Sequence, residues 1–144
     1  MIKILLLLST VSFAEIQESN VRELMSKAGE TFNALQKAVI VNKDLSEKTF
    51  ELNRKLTELF ELALSSTPNL DDITKDPKKR DELLAAYKEI MADTVNVSLA
   101  TEQSILEKNL EKTKTNLTKL KEKRTQGHDI FKPQGEYSNE YYRH

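Results

Sequence analysis

Few side chains in this sequence suit anything beyond packing. The chain holds three methionines, two histidines and no cysteine. With Met1 first and His144 last, the candidates inside the chain are Met25, Met91 and His128. Each alone is weak, because a methionine in an apolar stripe ordinarily fills core and an inward histidine ordinarily finds a hydrogen-bond partner. Spacing gives Met25 and His128 more weight. His128 follows Leu117, Leu120 and Arg124 at steps of three, four and four, the inner side of a helix. Met25 stands in a stripe near the other end of the chain, about five residues inside its helix and so roughly 8 Å deep at 1.5 Å per residue. If four helices run up-down-up-down, the start of the first and the close of the fourth share one end. A flat ring between them could take an imidazole on one face and a thioether on the other. Met91 lies about 14 residues into its helix, roughly 20 Å deep by the same rise, and is expected to be core. No carboxylate–histidine metal motif, nucleophile triad or glycine-rich phosphate loop occurs, so no enzyme is expected.

The elements that would position these residues follow from apolar periodicity. Asn20 and Glu23 form a capping-box start, after which Val21, Met25, Ala28, Phe32, Leu35 and Val39 recur at alternating steps of four and three, to an end near Val41. A second helix starts at Asp44 or Ser46 and carries Leu45, Thr49, Leu52, Leu56, Leu59 and Ala63, widened by Phe60 and Leu64. Pro68 ends it. Asn69 to Lys75 is a polar connection with Leu70 and Ile73 as lid contacts. Asp76-Pro77 caps and opens a third helix bearing Leu83, Leu84, Tyr87, Ile90, Met91, Thr94, Val97 and Ser98. The turn to the fourth helix falls near Glu107-Lys108-Asn109, with Asn109 taking a left-handed conformation. One unbroken helix over 77–131 would carry an apolar face too long for the other two helices to cover. The fourth helix bears Leu110, Thr113, Leu117, Leu120, Arg124, Gly127, His128 and Phe131, and Lys132-Pro133 stops it. The fold expected is an all-α, antiparallel, up-down-up-down four-helix bundle. Three glycines and three prolines among 144 residues, with 31% charged, suit such long amphipathic helices better than a sheet.

The ends read differently. Lys3 precedes the apolar run Ile4 to Leu8, and Ser12 and Ala14 stand at −3 and −1 of a cleavage point before Glu15. Residues 1–14 thus read as a secretory signal peptide, too short to span a bilayer. The mature protein is expected in the periplasm without a membrane span, with residues 15–132 as the bundle and 133–144 as a flexible tail. Losing one basic residue of 22 against 23 acidic ones leaves a formal charge of −2, which argues against nucleic acid as a partner. Without cysteine the chain has no disulfide and holds neither an iron–sulfur cluster nor a thioether-linked haem.

Two segments carry a resemblance. The first is Val21-x-x-x-Met25-x-x-Ala28-x-x-x-Phe32-x-x-Leu35, and the second is Leu120-x-x-x-Arg124-x-x-Gly127-His128-x-x-Phe131-Lys132. Over about residues 20–132 the chain resembles the cytochrome b562 family of soluble periplasmic haem bundles, and more distantly the cytochromes c′. The resemblance implies one non-covalent haem b per chain, with Met25 and His128 as axial ligands and electron transfer as the function. It implies walls from Leu24, Ala28, Phe32, Leu83, Tyr87, Leu120 and Phe131, with Leu83 and Tyr87 standing nearest to the family's third-helix aromatics. Arg124 and Lys132 would answer the propionates. The sequence departs from the family where Gly127 replaces an aromatic and Lys132 an arginine. A monomer or weak dimer is expected, with an unspecified periplasmic redox partner. The competing expectation is a cofactor-free helical binding or structural protein, a relative that has lost haem.

Overall fold

The computed structural model describes residues 20–131, so the signal-peptide reading, Lys132 and the 133–144 tail lie outside the described residues. Within that range the chain is all-helical, with four helices and no strand, consistent with a helical bundle. Helix α1 spans Asn20–Gln36 and widens into π-helical turns over Lys37–Val41; α2 spans Glu47–Ser65, α3 Pro77–Leu106 and α4 Leu110–Ile130. No described helix is long and apolar enough to cross a membrane.

The termini obey local chemistry. Asp76 accepts a hydrogen bond from Lys78 N at 3.1 Å with Pro77 just inside α3, and the Asn109 Oδ1 accepts from Lys112 N at 3.0 Å to start α4. At α2 the cap residue is Ser46, whose own N–H is held by Asp44 Oδ1 at 2.8 Å. These hydrogen bonds from Ser46 hold the Asp44 carboxyl below its usual range. The α3–α4 turn corrects one expectation: Lys108, not Asn109, is left-handed, with φ 56°. Asn109 is extended because capping the next helix requires that backbone.

Each stripe delivers side chains to one core. Leu24, Ala28, Phe32, Leu35 and Val39 meet Leu56, Leu59, Phe60 and Ala63 of α2, Tyr87, Met91, Val95 and Ile105 of α3, and Leu117 and Leu120 of α4. A second, polar set is also buried: Thr49, Asn53 and Thr57 on α2, Ser98, Thr101 and Ser104 on α3, Thr113 and Asn116 on α4. These groups fix register. Asn53 Nδ2 donates to Ser98 O at 3.1 Å, the Thr57 and Ser98 hydroxyls meet, and Tyr87 OH donates to Ala63 O. Between α3 and α4, the Ser104 and Thr113 hydroxyls lie 2.8 Å apart, and Lys123 pairs with Asp93 at 2.9 Å.

The left-handed Lys43, φ 50°, is exposed in the α1–α2 connection. A left-handed residue with a Cβ costs about 1–2 kcal/mol, part of which glycine returns through its looser unfolded chain. Lys43→Gly should therefore raise stability by about 0.5–1 kcal/mol, read as a higher denaturant midpoint at unchanged slope.

Candidate functional site

The end of the molecule that holds the start of α1 and the close of α4 carries a cavity of about 250 Å³. Its floor is apolar, built from Phe32, Phe60, Ile90 and Leu120. Val21, Met25, Ala28 and Gly29 line it from α1, Tyr87, Met91 and Thr94 from α3, and Lys123, Arg124, Gly127, His128 and Phe131 from the α4 side. The α2–α3 connection crosses it as a strap, with Pro68, Asn69, Leu70 and Ile73 in the wall. Leu70 is buried, and the turn behind it closes through Ile73 N and Thr74 N, both donating to Leu70 O at 3.0 Å. Two cations tether the strap: Arg80 pairs with Asp71 at 2.6 Å, and Lys88 Nζ donates to the carbonyls of Leu64 and Ser66. Leu70 and Ile73, expected as lid contacts, both line the cavity.

Of the residues singled out in the sequence, Met25, Ala28, Phe32, Tyr87, Arg124 and His128 all line this cavity. Leu24 and Leu83, both expected in the wall, do not: Leu24 is buried in the core. Leu83 is half-buried, one turn beyond Tyr87, whose ring meets Phe131 edge-on at 5.8 Å just after α4 ends. Leu83 therefore lies past the level that α4 covers. Met91 is the reverse case: expected to be too deep, it is 4% exposed and in the cavity wall. The physical reason is overhang. Helix α3 has 30 residues and α4 only 21, so depth counted from Pro77 misplaces Met91. Counting back from the α3–α4 turn would have put it level with the last turns of α4.

Contacts between helices place the ligand candidates in height. A Cβ on Gly127 would stand 4.0 Å from Ile90 Cγ2, so His128 arrives beside the α3 turn that carries Met91. A Cβ on Gly29 would stand 3.7 Å from Arg124 Nη2, so the Arg124 side chain reaches α1 one turn after Met25. His128 lies at the exposed mouth, Met25 is half-buried, and Met91 is inside.

The electrostatics favour a neutral imidazole. Partial burial pushes the His128 pKa down, and the Arg124 guanidinium pushes it the same way against the weaker pull of Asp129. Tyr87 is pushed up to about 12 by burial, so its hydroxyl stays protonated and bonded to Ala63 O. Among the described residues no Asp or Glu lines the cavity. Among the described residues no group of three or more His, Cys, Asp or Glu is set to hold a metal ion. Lys123 is occupied by Asp93, whereas Arg124 makes no ion pair among the described residues.

Comparisons with family models, with curated proteins and with solved structures give no match for this chain.

Two outcomes follow from this wall. Gly127 is helical and meets only Ile90 at van der Waals distance, so Gly127→Ala should stabilise by about 1 kcal/mol through helix propensity, measured by chemical denaturation. For Tyr87 the folded pKa of about 12 lies above the ordinary 10.0. The folded state therefore holds its proton longer than the unfolded chain, and stability present below pH 10 is lost as pH rises towards 12. Tyr87→Phe should flatten that part of the melting-temperature profile.

Proposed function

We propose that this chain is an exported, periplasmic electron-transfer protein of the cytochrome b562 kind, binding one non-covalent haem b with Met25 and His128 as axial ligands. The observation that carries the reading is that these two side chains, 103 positions apart in sequence, line the same apolar cavity from opposite ends of the chain. We take the helices to run up-down-up-down. What supports this is the pairing of Asn53 with Ser98 but Ala63 with Tyr87, and of Ser104 with Thr113 but Asp93 with Lys123. In each pair, numbers rise along one helix while they fall along its neighbour.

The residues present fit such a group in donor type and wall chemistry. Haem supplies an iron that gains and loses single electrons. His128 offers a ring nitrogen kept unprotonated by burial and by Arg124, the form that ligates. Met25 offers a thioether, whose softness favours the reduced iron and raises the potential. Ala28, Phe32, Tyr87, Leu120 and Phe131 keep water from the site, and Arg124 is the cation at the mouth able to answer a propionate. Lys132 follows directly after Phe131 and would serve the same role. With Met25 and His128 both holding the group, no site would be open to a substrate, which would suit electron transfer rather than catalysis. The cavity of about 250 Å³ lies just under the roughly 300–1,000 Å³ of typical small-molecule sites. To admit a macrocycle, the strap through Pro68 and Ile73 has to yield. That small volume favours the competing reading, a cofactor-free helical protein whose partner surface is its charged exterior.

Visible spectroscopy separates the two. Full-length protein supplied with haem should give a sharp, split, low-spin spectrum on reduction, and Met25→Ala should convert the iron to a high-spin or water-ligated form. A protein that stays colourless and takes up no added haemin would sink the haem reading. Because His128 titrates below the ordinary 6.5, low-spin ligation should persist to pH values under 6.5 and then fail as the imidazole protonates.

A further inference from the structure

Apart from Met1, the chain has two methionines, and both line the cavity together with one of its two histidines. The haem reading has no use for Met91. Core filling accounts for a buried thioether at a stripe position such as Met91, and less well for the half-buried Met25, and both line the cavity whose mouth holds the imidazole. The heights agree. Lys123 pairs with Asp93, Gly127 abuts Ile90, and Phe131 stacks edge-on with Tyr87, which sets His128 within about one 5.4 Å helical turn of Met91. Arg124 Nη2 reaches Gly29, and Met25, one turn before Gly29, lines the same cavity. Three neutral donors, two sulfur and one nitrogen, therefore face one cavity from α1, α3 and α4.

The donor set selects its metal. With no carboxylate among the described wall residues, magnesium, calcium and manganese find none of the anionic oxygens they need there. Structural zinc wants four ligands, usually including thiolates. Thioethers with imidazole suit soft, monovalent copper. The low charge matters here, because Arg124 stands at the mouth, and a monovalent ion meets half the repulsion of a divalent one. We propose that Met25, Met91 and His128 form a binding site for one Cu(I) ion in the ring-free protein. This goes beyond the haem reading and does not rest on it.

The test uses the full-length chain, ring-free, titrated anaerobically with Cu(I) against a coloured Cu(I) chelator. One equivalent should be withdrawn from the chelator. Since loss of a supporting residue already weakens metal sites about 10–100-fold, loss of a direct ligand in Met91→Leu or His128→Ala should cost at least about tenfold. His144→Asn should leave the affinity unchanged. X-ray absorption at the copper edge of the unmutated protein should count two sulfur neighbours and one nitrogen, a readout independent of how the variants fold. Failure to compete for Cu(I), a copper shell of nitrogen and oxygen alone, or an unaltered affinity in a Met91→Leu protein of normal helicity would each overturn the site. Haemin added to Met91→Leu separates the two readings: Cu(I) binding should fall while a low-spin haem spectrum survives. If the unmutated protein refuses haemin but holds Cu(I), the haem reading falls alone.

Discussion

The register of α3 against α2 and α4 decides which side chains share the cavity, and buried polar contacts between α2 and α3 and beside the α3–α4 turn set it. Apolar stripes alone leave register loose, because leucine slides past leucine at little cost. Ser98 removes that freedom: its carbonyl accepts from Asn53 Nδ2 and its hydroxyl meets that of Thr57, all three residues being buried. A shift by one turn would strand these groups, and an unpaired buried polar group costs about 1–3 kcal/mol. Ser104 and Thr113 impose the same condition on the α3–α4 pair. The position of His128 beside Ile90, some four turns from that hydroxyl contact, is a consequence. The polar part of the core is not fully satisfied, since Asn53 Oδ1 and Asn116 Nδ2 lack partners among the described residues. Specific pairing is thus bought with some stability.

Much of the helical layout was legible because it rests on local rules. The alternating steps of four and three from Val21 to Val39, proline at 68, the Asp76-Pro77 start and the break near Lys108 each follow from sequence within a few residues. The polar half of the core was not legible. Asn53, Ser104 and Asn116 read as surface on any apolar count, and only their partners across the helix gap explain their burial. The left-handed position went to the wrong neighbour for a related reason: Asn109 suits both a left-handed turn and a cap, and the cap of α4 took it.

The candidate site was legible where position along the chain sufficed, as for Met25 near the first helix start and His128 near the last helix end. It was misread where helix lengths differ. The extra turns of α3 beyond the end of α4 carry Leu83 out of the wall and bring Met91 into it. The strap adds residues that no helical period reports. Its place over the cavity depends on tertiary tethers, Arg80 to Asp71 and Lys88 to the α2 carboxyl end, which join residues too distant for a local pattern.

The cavity's asymmetry bears on what it can hold. Its interior presents hydrocarbon and sulfur, whereas its rim presents Arg124 and His128, with no lining carboxylate among the described residues. An uncharged imidazole at such a rim follows from the same two causes that make the site hostile to hard cations: burial disfavours charge, and the guanidinium repels it. Occupants that meet both halves carry either an apolar body with an anionic edge or a soft metal of low charge. Both would draw on Met25 and His128, and they differ in Met91, which a ring liganded by those two residues leaves idle and a small ion could engage. That buried thioether is therefore the residue at which the two chemistries part.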